Sequence, residues 1–272
     1  MAVVELRDKR EIAEVCRRNA ALHAYELGDL DDFFWPHTRW FGWRRGAETR
    51  QIVLIYGEPE PPVLVALADE PHGEMERLLH ALLPELPARA YAHLMPHLVE
   101  IAAARYDVAS HGLHLKMALP PDRAVDGHPG DVHLLGPDDL AAVEAFYRDA
   151  YPGTWFVPRM LETMRYVGIR DGGRLACVAG VHVHSPAWGI AALGNVATLP
   201  SHRGRGLASA ACASLCALLR VDGIDTIALN VKADNLPAIR AYERLGFDVV
   251  AEYVEASLVA RDDGRAGGVP PT

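Results

Sequence analysis

No apolar run in the 272 residues approaches the roughly 20 that a membrane helix needs, and the opening stretch, MAVVELRDKREIAEVCRR, holds no apolar segment of the kind a secretory leader carries. These absences lead to the expectation of a cytoplasmic protein with no membrane partner. Arginine and lysine form no long basic run. With 27 of them against 36 acidic residues the net charge is −9, which disfavours nucleic acid as the main partner and favours a neutral or cationic ligand. Cysteine is scarce and never arranged as CxxC. Cys16, Cys177, Cys212 and Cys216 are scattered, the last two one helical turn apart in an apolar segment, so reduced core thiols are expected rather than metal ligands or disulfides. What is present is a globular composition, 50% hydrophobic and 23% charged, enough for one large or two modest domains.

The clearest break is LPPDRAVDGHPGD, Leu119 to Asp131, whose prolines, glycines and charges interrupt any periodic pattern and suggest an interdomain linker. After it, periodicity predicts a strand at VHLLG, a helix through Leu140, Val143, Phe146 and Tyr147, and a short helix at Met160 to Met164. Strands YVGIR, RLACVAGVHVHS and AALGNVATL follow, then a helix over about Gly206 to Leu219, a strand TIALNV, a helix Leu236 to Leu245 and a last strand FDVVAEYVEASLV. The first half runs in a similar order. A helix carries Ile12, Val15, Cys16 and Leu22; strands are expected at Trp40 to Trp43, QIVLIY and PVLVAL. A helix with Met75, Leu78, Leu79 and Leu82 comes next, then ARAYAHL, a helical MPHLVEIAAARY and a strand near LHLKMAL. The repeated order suggests a mixed α/β protein with a diverged internal duplication: a domain at 1–124, a second at 125–260 and a disordered tail at 261–272.

One loop carries chemistry. In NVATLPSHRGRGLASAA, Asn195 to Ala211, a strand passes through Pro200 into a glycine/arginine turn and then a helix of small residues. A phosphate-binding P-loop would need Lys-Ser or Lys-Thr after the second glycine, where Leu207 stands. A dinucleotide GxGxxG would need a third glycine, where Ser209 stands, and would belong to the first strand of its domain. The third pattern, R/Q-x-x-G-x-G/A, is satisfied by Arg203, Gly206 and Ala208. It suits a pyrophosphate, because a helix start offers unpaired N–H groups and the positive end of its dipole, while Gly204 and Gly206 permit close approach and unusual turn geometry. Arg203 and Arg205 add positive charge.

The next strand and helix contain NLPAIRAYERLGF, with Asn235 placed 32 residues after Arg203 (235 − 203). With VATLPSHRGRGLA, this block resembles the GNAT superfamily, the GCN5-related N-acetyltransferases, over about Asp131 to Val259. The resemblance implies the GNAT fold in the second half, acetyl-CoA as cofactor and a primary amine of a small molecule or peptide as acceptor. It implies that Arg203, Gly204, Arg205, Gly206, Leu207 and Ala208 line the pyrophosphate, that Val196 and Thr198 pair with the pantetheine arm through their main chains, that Asn235 meets that arm, and that Tyr242 is the general acid. Many members place a glutamate or histidine base at the positions of Ala192 or Gly194, so the usual base is absent here. His182 and His184, alternating to one face of VHVHS, are the candidates, and a structural role for both stays open. Tyr151, Trp155 and Phe156 fall where such enzymes shape the acceptor pocket, or are ordinary packing. The first half shows no such loop; its counterpart, ADEPHGEM, carries Asp69, Glu70 and Glu74, which would repel pyrophosphate, so a degenerate GNAT-like domain is expected there. A catalytically silent CoA-binding module is the alternative to an N-acyltransferase.

Overall fold

The computed structural model describes all residues except 59, 69–71, 124, 126–131 and 262–272. Asp69, Glu70, most of the expected linker and nearly all of the expected disordered tail lie outside the described residues. In chain order the elements are β1 (Ala2–Leu6), α1 (Lys9–Cys16), α2 (Ala24–Gly28), β2 (Thr38–Arg45), β3 (Glu48–Tyr56), β4 (Val63–Ala66), α3 (His72–Leu82), β5 (Arg89–Leu94), α4 (Val99–Ala103) and β6 (Tyr106–Leu119). The second series is β7 (Val132–Leu135), α5 (Leu140–Ala150), a short 3-10 helix (Pro158–Thr163), β8 (Tyr166–Asp171), β9 (Arg174–Ser185), β10 (Ile190–Thr198), α6 (Leu207–Val221), β11 (Thr226–Lys232), α7 (Leu236–Arg244) and β12 (Asp248–Ala260). Both series run strand, helix, three strands, helix, strand, helix, strand. The mixed α/β architecture and the repeated order match expectation, with an opening strand in addition.

The chain divides into two compact units, but not by a single cut. The first comprises Met1–Leu6, Arg39–Gly112 and Val254 onward. In it the strand order is β1-β2-β3-β4-β5 followed by the end of β12. Its core packs α3, through Met75, Leu78, Leu79 and Leu82, on Val53, Ile55, Leu64, Ala66, Ala92 and Leu94 of the sheet. That stripe has helical spacing, and its burial is what holds α3 in place.

The second unit comprises Arg7–Thr38 and Leu113–Tyr253, with strand order β6-β11-β10-β9-β8-β7. On one face of its sheet α6 and α7 bury Cys212, Leu215, Cys216, Leu219 and Ile239 against Met117, Leu119, Ile227, Leu229 and Val231. On the other, α5 buries Val143, Phe146 and Tyr147 against Tyr166, Leu175 and Val178. Helix α2 packs against β9, β10 and β11 of the same unit. The contact is close at Gly28, where a Cβ would fall 1.8 Å from Cγ1 of Val183. This grouping differs from a split at 124/125: α1, α2 and the end of β6 count with the second unit, and the end of β12 with the first. An apolar helix stripe announces burial without naming the sheet that receives it.

Candidate functional site

Strand β10 is nine residues long, yet it pairs in parallel with β11 only from Ile190–Thr226 to Leu193–Leu229. Beyond Leu193 the two strands part. The cause lies in β10 itself, where Gly194 pairs with Gly180 of β9 and Ala197 with Val178, so that β10 spends three steps against two. The extra residue is a bulge around Asn195, whose φ of 54° lies in the left-handed region that asparagine tolerates better than most residues. Gly194 to Thr198, which include Val196 and Thr198, therefore present main-chain groups to the gap rather than to β11.

Immediately after this edge comes the glycine turn. Gly204 and Gly206 have φ of 75° and 77°, and a Cβ on either would meet no atom within 4 Å, so backbone conformation rather than crowding demands glycine at both. Gly206 is the N-cap of α6 and supplies no side-chain cap, which leaves the first-turn amides of Leu207, Ala208 and Ser209 pointing into the turn. Arg203 Nε donates to Thr198 O at 3.3 Å, tying turn to strand. Arg205 stands 3.9 Å from Asp171 of β8, and His202 Nε2 lies 2.9 Å from the same carboxylate. The His202 hydrogen bond, then its charge, hold Asp171 below the usual carboxylate range. The arrangement fits a pyrophosphate: open space, donors and a helix start converge where a strand edge is unpaired.

Asn195 anchors a polar network on the α5 face. Its carbonyl accepts from Tyr147 Oη at 2.7 Å, its Oδ1 from Thr154 Oγ1 at 2.9 Å, and its Nδ2 donates to Tyr166 Oη at 2.9 Å. His182 Nε2 lies 3.1 Å from the same Oδ1, which can only accept, so Nε2 carries the proton and Nδ1 is the basic nitrogen. A Cβ on Gly194 would stand 2.4 Å from the His182 ring. The imidazole thus fills, from the neighbouring strand, the space beside a backbone position where a base was expected and is missing. Trp155 meets it edge-on at 5.6 Å, Tyr151 is exposed, and Phe156 packs on Tyr147 and Tyr166.

His184 does not share this site. Val181 pairs with Leu193 and Val183 with Ala192, two steps of β9 against one of β10, so an extra residue at His182 breaks the alternation expected to put both imidazoles on one face. His184 Nε2 instead lies 3.5 Å from Asp222, the residue after α6, which also binds Arg165. Burial, then the Arg165 charge, push the His184 imidazole below its ordinary value, partly offset by Asp222. It pairs with Ala191, seven residues before Thr198, or roughly 20 Å along the strand at about 3.3 Å per residue.

Tyr242 of α7 stands half-buried in the core beneath α6, with Phe247 at 5.9 Å between ring centres. Burial pushes its phenol well above the ordinary value, and neighbours including Cys212 and Tyr25 add to the effect. Asn235 caps α7, its Oδ1 accepting from Ala238 N at 3.4 Å, and so fixes the helix that carries Tyr242. Sequence reasoning missed Tyr25, which α2 brings near Tyr242, and with it the charged residues of that helix. Glu74, expected to repel phosphate in the first half, is buried and lies 3.4 Å from Arg50 Nε.

Residues 139–247 match the model of the Acetyltransferase (GNAT) family. A GNAT-family protein of Novosphingobium aromaticivorans is 30% identical, over 58% of this chain and 67% of that one, with a TM-score of 0.47. The tandem GNAT protein from the clavulanic acid biosynthesis pathway, 19% identical with a TM-score of 0.54, aligns over 95% of this chain and 98% of its own, and shows the fold in both halves. A curated mycothiol acetyltransferase of Brachybacterium faecium is 39% identical over 66 residues, 24% of this chain and 20% of the relative. The chain thus spans about a fifth of the length of the curated relatives it matches. No described helix is long and apolar enough to cross a membrane.

Proposed function

Because the chain belongs to the Acetyltransferase (GNAT) family, we propose that it is an acyl-CoA-dependent N-acyltransferase that moves an acetyl group from acetyl-CoA to a primary amine of a small molecule or peptide. The observation that carries this reading is the parting of β10 from β11 beside an uncapped helix start. The amides of Gly204 to Ala208 would hold the pyrophosphate, with Arg203 and Arg205 beside them, and the main chains of Val196 and Thr198 would hold the pantetheine arm. Bound there, acetyl-CoA supplies an activated acyl carbonyl. Asn235 caps α7 and would meet the pantetheine arm from the end of β11. Tyr242, protonated across neutral pH, would give a hydrogen bond or proton to the departing thiolate. A protonated amine is not a nucleophile, and His182 is assigned to take its proton, with Asn195 fixing the tautomer. His184 is assigned to structure. The mycothiol acetyltransferase match supports acetyl transfer as the reaction class.

A silent CoA-binding module is the second reading, favoured by Ala192 and Gly194 standing where a base is usual. Incubating the protein with acetyl-CoA and a panel of amines, amino acids, polyamines and peptides, with detection of free thiol, decides between them. Thiol release that depends on one class of amine supports the transferase. Calorimetric binding of acetyl-CoA without release on any amine supports the module.

A further inference from the structure

The alternation that sends Met117, Leu119, Ile227, Leu229 and Val231 into the core beneath α6 sends Lys116 and Asn230 to the opposite face, where they pair across β6 and β11. Helix α2 covers strands of this sheet and contributes His23, Tyr25, Glu26 and Asp29. The Lys116 ammonium lies 4.6 Å from the centre of the Tyr25 ring, and His23 Nδ1 lies 2.9 Å from Glu26 Oε1. His23, Glu26 and Lys116 are 4%, 2% and 1% exposed, so charge has been carried into the interior beside the point where β10 and β11 separate. Buried charge is expensive unless it is paired, and it concentrates where ligands bind.

The pairing is incomplete. Glu26 Oε2 and Asn230 Oδ1 are both buried and have no hydrogen-bond partner among the described residues. Both are acceptors, and each calls for a donor. We propose that Glu26 Oε2, with Asn230 Oδ1, receives an ammonium group of the acceptor, which makes the substrate a cationic amine. The identity of the arriving group rests on the proposed N-acyltransferase reading; the site itself rests on two buried acceptors that lack a donor among the described residues. Burial raises the Glu26 carboxyl, but the charge and hydrogen bond of His23 and then the charge of Lys116 outweigh it and leave it below its ordinary value, hence ionised at neutral pH. An ammonium matches because it combines positive charge with several N–H donors; a quaternary cation has the charge and lacks the donors. The negative charge of the whole chain, −9, agrees in sign.

The test uses the full chain without acetyl-CoA, labelled with 15N and titrated with ethylammonium chloride. Tetramethylammonium chloride and sodium chloride at equal ionic strength serve as controls. Saturable shifts of the α2 amides and the Asn230 side-chain amide are expected with ethylammonium alone. Glu26→Gln should abolish them. Glu26→Asp, which keeps the charge and withdraws it by one methylene, should retain them with affinity weakened by at least ten-fold. Absence of saturable shifts in the unaltered protein, equal shifts with tetramethylammonium, or an unchanged titration in folded Glu26→Gln would overturn the proposal. Ammonium binding without turnover of any amine would sustain this site and count against acyl transfer; turnover of neutral and cationic amines alike without ammonium binding would do the reverse.

Discussion

Strands β4 and β10 hold the same place in their series: each is followed by a helix and then by a parallel strand. Strand β4 pairs with β5 along its whole length, Val63–Ala66 against Tyr91–Leu94, and Met95 N continues the ladder to Ala66 O at 3.3 Å. Strand β10 abandons β11 after four pairs. The residues that follow account for the difference. After β4 the chain continues into the core with Leu67 and Ala68, 1% and 3% exposed, whereas after Leu193 it enters the bulge at Asn195, held by Tyr147, Thr154, Tyr166 and His182. A bulge bends its strand, and here the bend creates unpaired main chain next to a helix start. The same element order keeps its parallel strands paired in the first unit and opens a candidate ligand cleft in the second, through one inserted residue and the side chains that hold it.

The contrast is broken most completely at the glycine turn. Gly206→Val should eliminate calorimetric acetyl-CoA binding while circular dichroism shows a folded chain. A β-branched residue at a φ of 77° also strains the turn, at a cost of about 1–3 kcal/mol read from urea unfolding. Next in size, Tyr242→Phe should lower kcat by about 10²-fold and leave acetyl-CoA affinity nearly unchanged, as expected when proton donation in the transition state is lost. Wild-type kcat with chemistry rate-limiting would return Tyr242 to a packing role. The two histidines should separate: His182→Gln is expected to cost kcat about 10-fold or more, and His184→Gln less than about two-fold. Equal effects would contradict the assignment based on the bulge in β9.

A smaller effect tests the charge beneath α2. Burial, then the Glu26 charge, push the Asp29 carboxyl well above its ordinary value, with Lys116 opposing. A raised carboxyl favours the folded state when protonated, so its contribution is complete below the unfolded value near ~4 and is lost as pH rises through the displaced value. Asp29→Asn should remove this loss and flatten the pH dependence of stability within that window. Urea midpoints at pH 4, 6 and 8 check it; an identical pH dependence in both proteins would show that Asp29 is not under strain.

Much of this was legible in the residues. Positive φ at Gly204 and Gly206 follows from the turn chemistry, and α6, β11 and α7 lie where periodicity put them. The home of α1 and α2 was not, because Ile12, Val15 and Leu22 specify burial and leave the receiving sheet open. The two bulges were also hidden, since alternation in VHVHS assumes a period of two that one extra residue at His182 destroys. Glu26 and Lys116 carried no signal that singled them out, although AYELGDL flanks Glu26 with apolar neighbours and LHLKMAL sets Lys116 between Leu115 and Met117.

Acetyl-CoA is predicted to bind at the parted strands of the second unit, and at no second place in the chain. Isothermal titration of the full chain with acetyl-CoA tests it directly. One molecule bound per chain is predicted, and two sites per chain, or none, would contradict it.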